Sequence, residues 1–171
     1  MVKHILLTAL IGFMLGVTAA QADELSIEGV GISRDVPCDG KDVGVYGAEN
    51  TIKFTGACGR IIVHGANHIV SFEQGNELSV SGTGNKVVGG TLATLAVEVA
   101  KNEVQATIQS AASPGRIDVS GAEHQITLNL ASAARLEVDG AGQRVRWSLA
   151  KNAPEPNITS SGADHVIQKQ N

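Results

Sequence analysis

Three histidines, two cysteines and a pair of carboxylates are the residues of this sequence whose types and spacing suit chemistry. His68, His124 and His165 would serve as metal ligands if the fold brought their rings to one point. Cys38 and Cys58 have no nearby CxxC or HxxxH, so they make no zinc pattern. Asp118 and Glu137 would act as acid and nucleophile on a glycosidic bond if their carboxyls stood about 5 Å apart. Arg144 and Arg146, with the single tryptophan Trp147, are the one basic-aromatic spot. No Ser-His-Asp or Cys-His arrangement stands out. Gly82-Thr-Gly84 and Gly89-Gly90 lack the strand-to-helix context of a phosphate loop.

Whether any of these residues meet depends on an internal repeat. The motif is apolar-x-Val-x-Gly-Ala-x-(Asn/His/Gln)-x-(Val/Ile), seen in Val43–Ile52 and again in Ile61–Val70 and Leu78–Val87. Further copies are Leu95–Val104, Ile117–Ile126, Leu136–Val145 and Ile158–Ile167. The seven copies are spaced by 18, 17, 17, 22, 19 and 22 residues, and the variation falls between motifs at Gly, Pro, Asn and Ser. Apolar residues alternate with polar ones inside each copy, which is the period of a strand. Strands of three to five residues cannot bury a face alone, so stacked copies must build the core. A period near 19 with glycine corners predicts an all-β parallel β-helix (β-solenoid) of about seven coils. Leu25-Ser-Ile27-Glu-Gly29 reads as the start of a decayed further copy.

This architecture redistributes the reactive residues. The position three after each anchor glycine is Asn50, His68, Asn85, Asn102, His124, Gln143 and His165, always an amide or an imidazole. Stacked at a corner, these side chains suit a structural ladder bonded along the stack and to turn backbone. The three histidines then lie about 10 to 14 Å apart along the axis, too far for one ion. No metal site and no cofactor are therefore expected. Asp118 and Glu137 become equivalent residues of neighbouring coils, with Arg116 and Arg135 two positions before them. Their bland role is a solvated face of alternating charge. Trp147 falls in phase with Phe54, Phe72 and Leu128, which makes it a core residue.

Composition and address agree with such a chain. It has 20 glycines in 171 residues and only 3% aromatics, so Val, Ile, Leu and Ala must fill the interior. A net charge of −4 argues against a general nucleic-acid binder. Lys3 and His4, the apolar run Ile5–Val17 and Ala20-Gln21-Ala22 have the layout of a signal peptide over residues 1–22. Residues 23–42 then form a cap or decayed first coil, and 43–171 the repeat domain. No other segment is apolar enough for a membrane span. In the periplasm or outside the cell, Cys38 and Cys58 pair by default. They precede the anchor glycines of consecutive coils by nine and seven residues, a parity that lets both face one side.

The stretch from Cys38 through Gly47-Ala-Glu-Asn50 and Gly56-Ala-Cys58 to Gly65-Ala-Asn67 resembles a bacterial secreted family, domain of unknown function 3060. The likeness is close from about Val36 to Val88. It drifts downstream, where Val99 replaces the anchor glycine and His or Gln replaces Asn. The resemblance implies an exported β-solenoid with a disulfide and imports no activity. The expectation is an exported, non-catalytic binding or scaffold protein of the cell envelope. Its partner would be an envelope protein or polysaccharide, met through the face carrying Asp118, Glu137, Arg116 and Arg135. A small carbohydrate-active enzyme and a solenoid that self-associates end to end are the alternatives.

Overall fold

Alternating apolar and polar residues, interrupted by sharp corners, produce strands throughout and no helix among the described residues. The structure, a computed structural model, describes residues 24–170. The expected signal peptide and its cleavage point at Asp23 lie outside the described residues.

Each turn of the solenoid contains two strands. The first turn holds β1 (Leu25–Val30) and β2 (Ser33–Pro37), the second β3 (Val43–Ala48) and β4 (Thr51–Ala57). The third holds β5 (Arg60–Ala66) and β6 (Ile69–Gln74), the fourth β7 (Glu77–Thr83) and β8 (Lys86–Leu92). The fifth holds β9 (Thr94–Val97) and β10 (Glu103–Ile108), the sixth β11 (Gly115–Val119) and β12 (Gln125–Leu130). The seventh holds β13 (Ala134–Ala141) and β14 (Arg144–Leu149), the eighth β15 (Asn157–Ala163) and β16 (Val166–Lys169). Odd strands stack in order into one parallel eight-stranded sheet, here the front, and even strands into a second, the back. The result is a parallel β-solenoid of about 8 turns with about 18 residues per turn. Strand spacing near 4.8 Å makes the stack about 34 Å long.

The strands run from 4 to 8 residues, longer than the three to five expected. The reason is that the corner residues stay in the ladder: Gly47 pairs with Gly65, and Ala48 with Ala66.

Inward residues form columns along the axis. The front sheet contributes Val45, Val63, Val80, Val97, Val119 and Val138, each at most 1% exposed. The back sheet contributes Ile52, Val70, Val87, Val104, Ile126 and Val145, equally buried. Full burial of one such side chain is worth about 1.5–3 kcal/mol, and the columns repeat it turn after turn. Beside them run Phe54, Phe72, Gly89, Ala106, Leu128 and Trp147. Large and small residues interdigitate there, since a Cβ on Gly89 would overlap the Phe72 ring.

Candidate functional site

The only buried polar side chains among the described residues are Asn50, His68, Asn85, Asn102, His124 and Gln143, none more than 1% exposed. They occupy the corner between the front and back sheets, and two backbone features hold them there. The anchor glycine sits at positive φ (104° at Gly47, 129° at Gly65), where a Cβ would strike the carbonyl of the anchor one turn earlier. The residue two positions later is left-handed in every turn: Gly31, Glu49, Asn67, Gly84, Lys101, Glu123, Gly142 and Asp164. This second kink turns the chain and aims the next side chain inward. The only signal for it in the sequence is that all eight of these positions are glycine or polar.

Each ladder side chain bonds to backbone on both sides. It accepts from the backbone N–H of the equivalent residue one turn earlier. Asn50 Oδ1 accepts from Ile32 N–H (2.8 Å), His68 Nδ1 from Asn50 (3.2 Å) and Asn85 Oδ1 from His68 (3.0 Å). Asn102, His124, Gln143 and His165 continue the series at 3.0, 3.1, 3.0 and 3.3 Å. The amide nitrogens donate to the carbonyl four residues back and to the anchor carbonyl one turn earlier, as Asn50 does to Tyr46 (3.0 Å) and Gly29 (3.1 Å). The Nε2 atoms of His68, His124 and His165 meet the carbonyls of His64, Ser120 and Ser161. An acceptor at Nδ1 and a carbonyl at Nε2 fix the neutral Nε2–H tautomer. Burial accordingly lowers the pKa of both His68 and His124.

These rings have no nitrogen left for a metal, and they sit in the third, sixth and eighth turns. No group of three His, Cys, Asp or Glu residues among the described residues is placed to hold an ion. Cys38 and Cys58 form a disulfide with Cα atoms 4.9 Å apart, joining the first two turns where the back sheet ends. From the third turn on, Gly75, Leu92, Ile108, Leu130 and Leu149 occupy the same column.

The expected charged face lies on the outside of the front sheet. Arg116 pairs in register with Arg135, and Asp118 with Glu137, so like charges stack across β11 and β13. The compensating contact lies along the strand, where Arg116 Nε donates to Asp118 Oδ2 at 2.7 Å. That hydrogen bond, and then the carboxylate's charge, raise the Arg116 pKa. Asp118 Oδ1 is shielded without a partner, and Pro114, Arg116, Arg135 and Glu137 line a shallow surface depression. Higher on the same sheet, His64 Nδ1 lies 2.8 Å from Ser81 Oγ, and the Tyr46 ring is tilted against His64 with centroids 6.3 Å apart. Nothing in the sequence marks this exposed Ser–His contact, because the two residues lie one turn apart and outside the ladder position. Trp147 is 6% exposed and belongs to the core, while Arg144 and Arg146 point out from the back sheet.

Fold and ladder together define a disulfide-closed parallel β-solenoid with an amide–imidazole spine. Residues 45–102 match the family described as "Protein of unknown function (DUF3060)". That segment runs from the second turn to Asn102 in the fifth. No curated protein and no solved structure matches the chain.

Proposed function

We propose that this chain is an exported, non-catalytic binding or scaffold protein of the bacterial cell envelope. It would present the front-sheet face of Arg116, Asp118, Arg135 and Glu137 to a polymer or protein partner. The observation carrying this reading is that the side chains best suited to chemistry are already engaged in structure. The ladder histidines bond to backbone through both ring nitrogens, the cysteines are bonded to each other, and Arg116 neutralises Asp118. The Ser81–His64 contact is exposed, with no carboxylate bonded to the other ring nitrogen among the described residues. Hydrolysis needs acid–base groups held in a recess that excludes water, whereas these faces are open and regular. Export rests on the signal-peptide layout of residues 1–22 and fits the disulfide.

The deciding experiment screens acidic and neutral polysaccharides and envelope extracts with wild type and an Asp118→Asn/Glu137→Gln double variant. Salt-sensitive capture without turnover, weakened by the variant, is expected. Turnover by wild type that the variant loses would overturn the proposal in favour of a carbohydrate-active enzyme.

A further inference from the structure

The back sheet carries a second surface of different chemistry. Apart from Glu103, the outward residues of β10 and β12 are amides and hydroxyls, Gln105, Thr107, Gln125, Thr127 and Asn129, and Ser148 follows on β14. They stand in register, Gln105 against Thr127 and Thr107 against Asn129, with Asn129 against Ser148. Into this array β14 projects Arg144 and Arg146. Residues two apart on a strand share a face and lie about 7 Å from each other. Their in-register neighbours are Gln125 and Thr127 on one side, Val166 and Gln168 on the other, and none is acidic.

Among the described residues neither arginine forms an ion pair. The nearby acids include Glu103, which pairs with Lys86 at 3.1 Å, and Glu123, which lies 3.9 Å from Lys101. Glu123 and Asp164 stand with Arg144 at the rim of a depression over the corner. A second depression lies between the arginine pair and Glu103, Gln125 and Thr127. A third continues past Gln105, Asn129 and Ser148. The three together make a shallow polar track across the fifth to eighth turns.

We infer that this back-sheet track binds an anionic polysaccharide, with Arg144 and Arg146 gripping its carboxylates and the amide–hydroxyl rows bonding its hydroxyls. Guanidinium matches carboxylate by paired hydrogen bonds, and two unneutralised arginines side by side are relieved by an anion. The track has none of the aromatic anchors around which protein interfaces concentrate their binding energy, and Val166 is the one large apolar side chain exposed along it. Its ordered donors and acceptors instead complement a hydroxyl-rich chain. The inference is independent of the front-sheet proposal, because the two faces point in opposite directions.

Polygalacturonate is the probe and dextran the neutral control, with binding followed by calorimetry from low to physiological salt. Wild type should bind polygalacturonate and not dextran, and weaken as salt rises. Arg144→Gln/Arg146→Gln should lower affinity tenfold or more and flatten the salt dependence. Lys53→Gln, on the back sheet away from the track, should leave this binding unchanged. If the glutamine pair lowers Tm, Arg144→Lys/Arg146→Lys asks the same question. A several-fold loss with salt dependence retained supports the paired-bond grip, and no loss overturns it. Absence of polygalacturonate binding, or equal binding of dextran, overturns the inference while the front-sheet proposal stands. Binding lost in the Asp118/Glu137 variant and kept in the arginine variants moves the ligand to the front sheet and also overturns it.

Discussion

A single ladder residue answers to two turns at once, which makes substitutions there unusually discriminating. His124→Asn keeps an acceptor for the Asn102 N–H and a donor for the Ser120 carbonyl, as Asn85 and Asn102 do in their own turns. It should cost under about 1 kcal/mol in urea unfolding, whereas His124→Leu should cost about 1–3 kcal/mol by orphaning buried backbone groups. Protonation does similar damage, because a proton on Nδ1 faces an N–H donor. With the folded pKa of His68 and His124 below the ordinary 6.5, the unfolded chain takes up protons first as pH falls. Stability is therefore full above about pH 6.5, declines below it, and levels off once the folded pKa values are passed. A His68→Asn/His124→Asn variant should flatten that decline in Tm measured from pH 7.5 to 5. An unchanged slope would place the acid sensitivity elsewhere.

At the scale of the turn, the fifth is the irregular one. Val99 takes the anchor position at φ 77°, β9 stops at Val97, and pairing resumes only at the isolated bridge through Ala100. A β-branched residue at positive φ is strained, and Val99 is 55% exposed, so little burial offsets that cost. Val99→Gly should raise stability by about 1 kcal/mol, while Gly65→Ala should lower it by several times as much, because its Cβ would meet the Gly47 carbonyl. Differential scanning calorimetry of the two variants checks both signs. Register gives a second pair. Val119→Asp buries a carboxylate without a partner and should unfold the protein. Ser120→Lys should be tolerated, because register sets Ser120 between Glu98 and Asp139, two acids that Asp at this position would repel.

Across the whole molecule, stability passes from turn to turn, and the ends decide whether stacking stops. The disulfide ties the first turn to the second, and closing a loop of sequence separation 20 is worth about 3 kcal/mol. Reduction, or Cys38→Ser/Cys58→Ser, should lower Tm markedly and expose the first turn to proteolysis before the rest. At the other end β15 is exposed along its whole length. Ser160 takes the place of the valine column there, and Lys169 follows Trp147, its ammonium 5.3 Å from the ring centroid. Polar residues in core columns are a cost that a second copy would meet on stacking. Wild type should sediment as a monomer, and Ser160→Val/Lys169→Leu should promote end-to-end association.

Strands and corners were legible in the chain by itself, and both are local. Alternation around Val45, Val63 and Val80 specified strands, and glycine, proline and asparagine between motifs specified corners, because each depends only on neighbours in sequence. The recurrence of Asn, His and Gln three residues past the anchor pointed to a ladder, since only a stack brings such residues together. Other features were settled by tertiary structure. Two strands per turn, and hence two opposed faces, depend on the left-handed residue two positions after each anchor, a conformation that residues as different as Glu49 and Gly84 both adopt. The partition of Arg144, Arg146 and Trp147 between surface and core required the register of β12 against β14. The alternation rule puts Trp147 inside, but which cationic neighbours go unpaired is decided by residues 19 to 22 positions away, brought alongside by loops of unequal length.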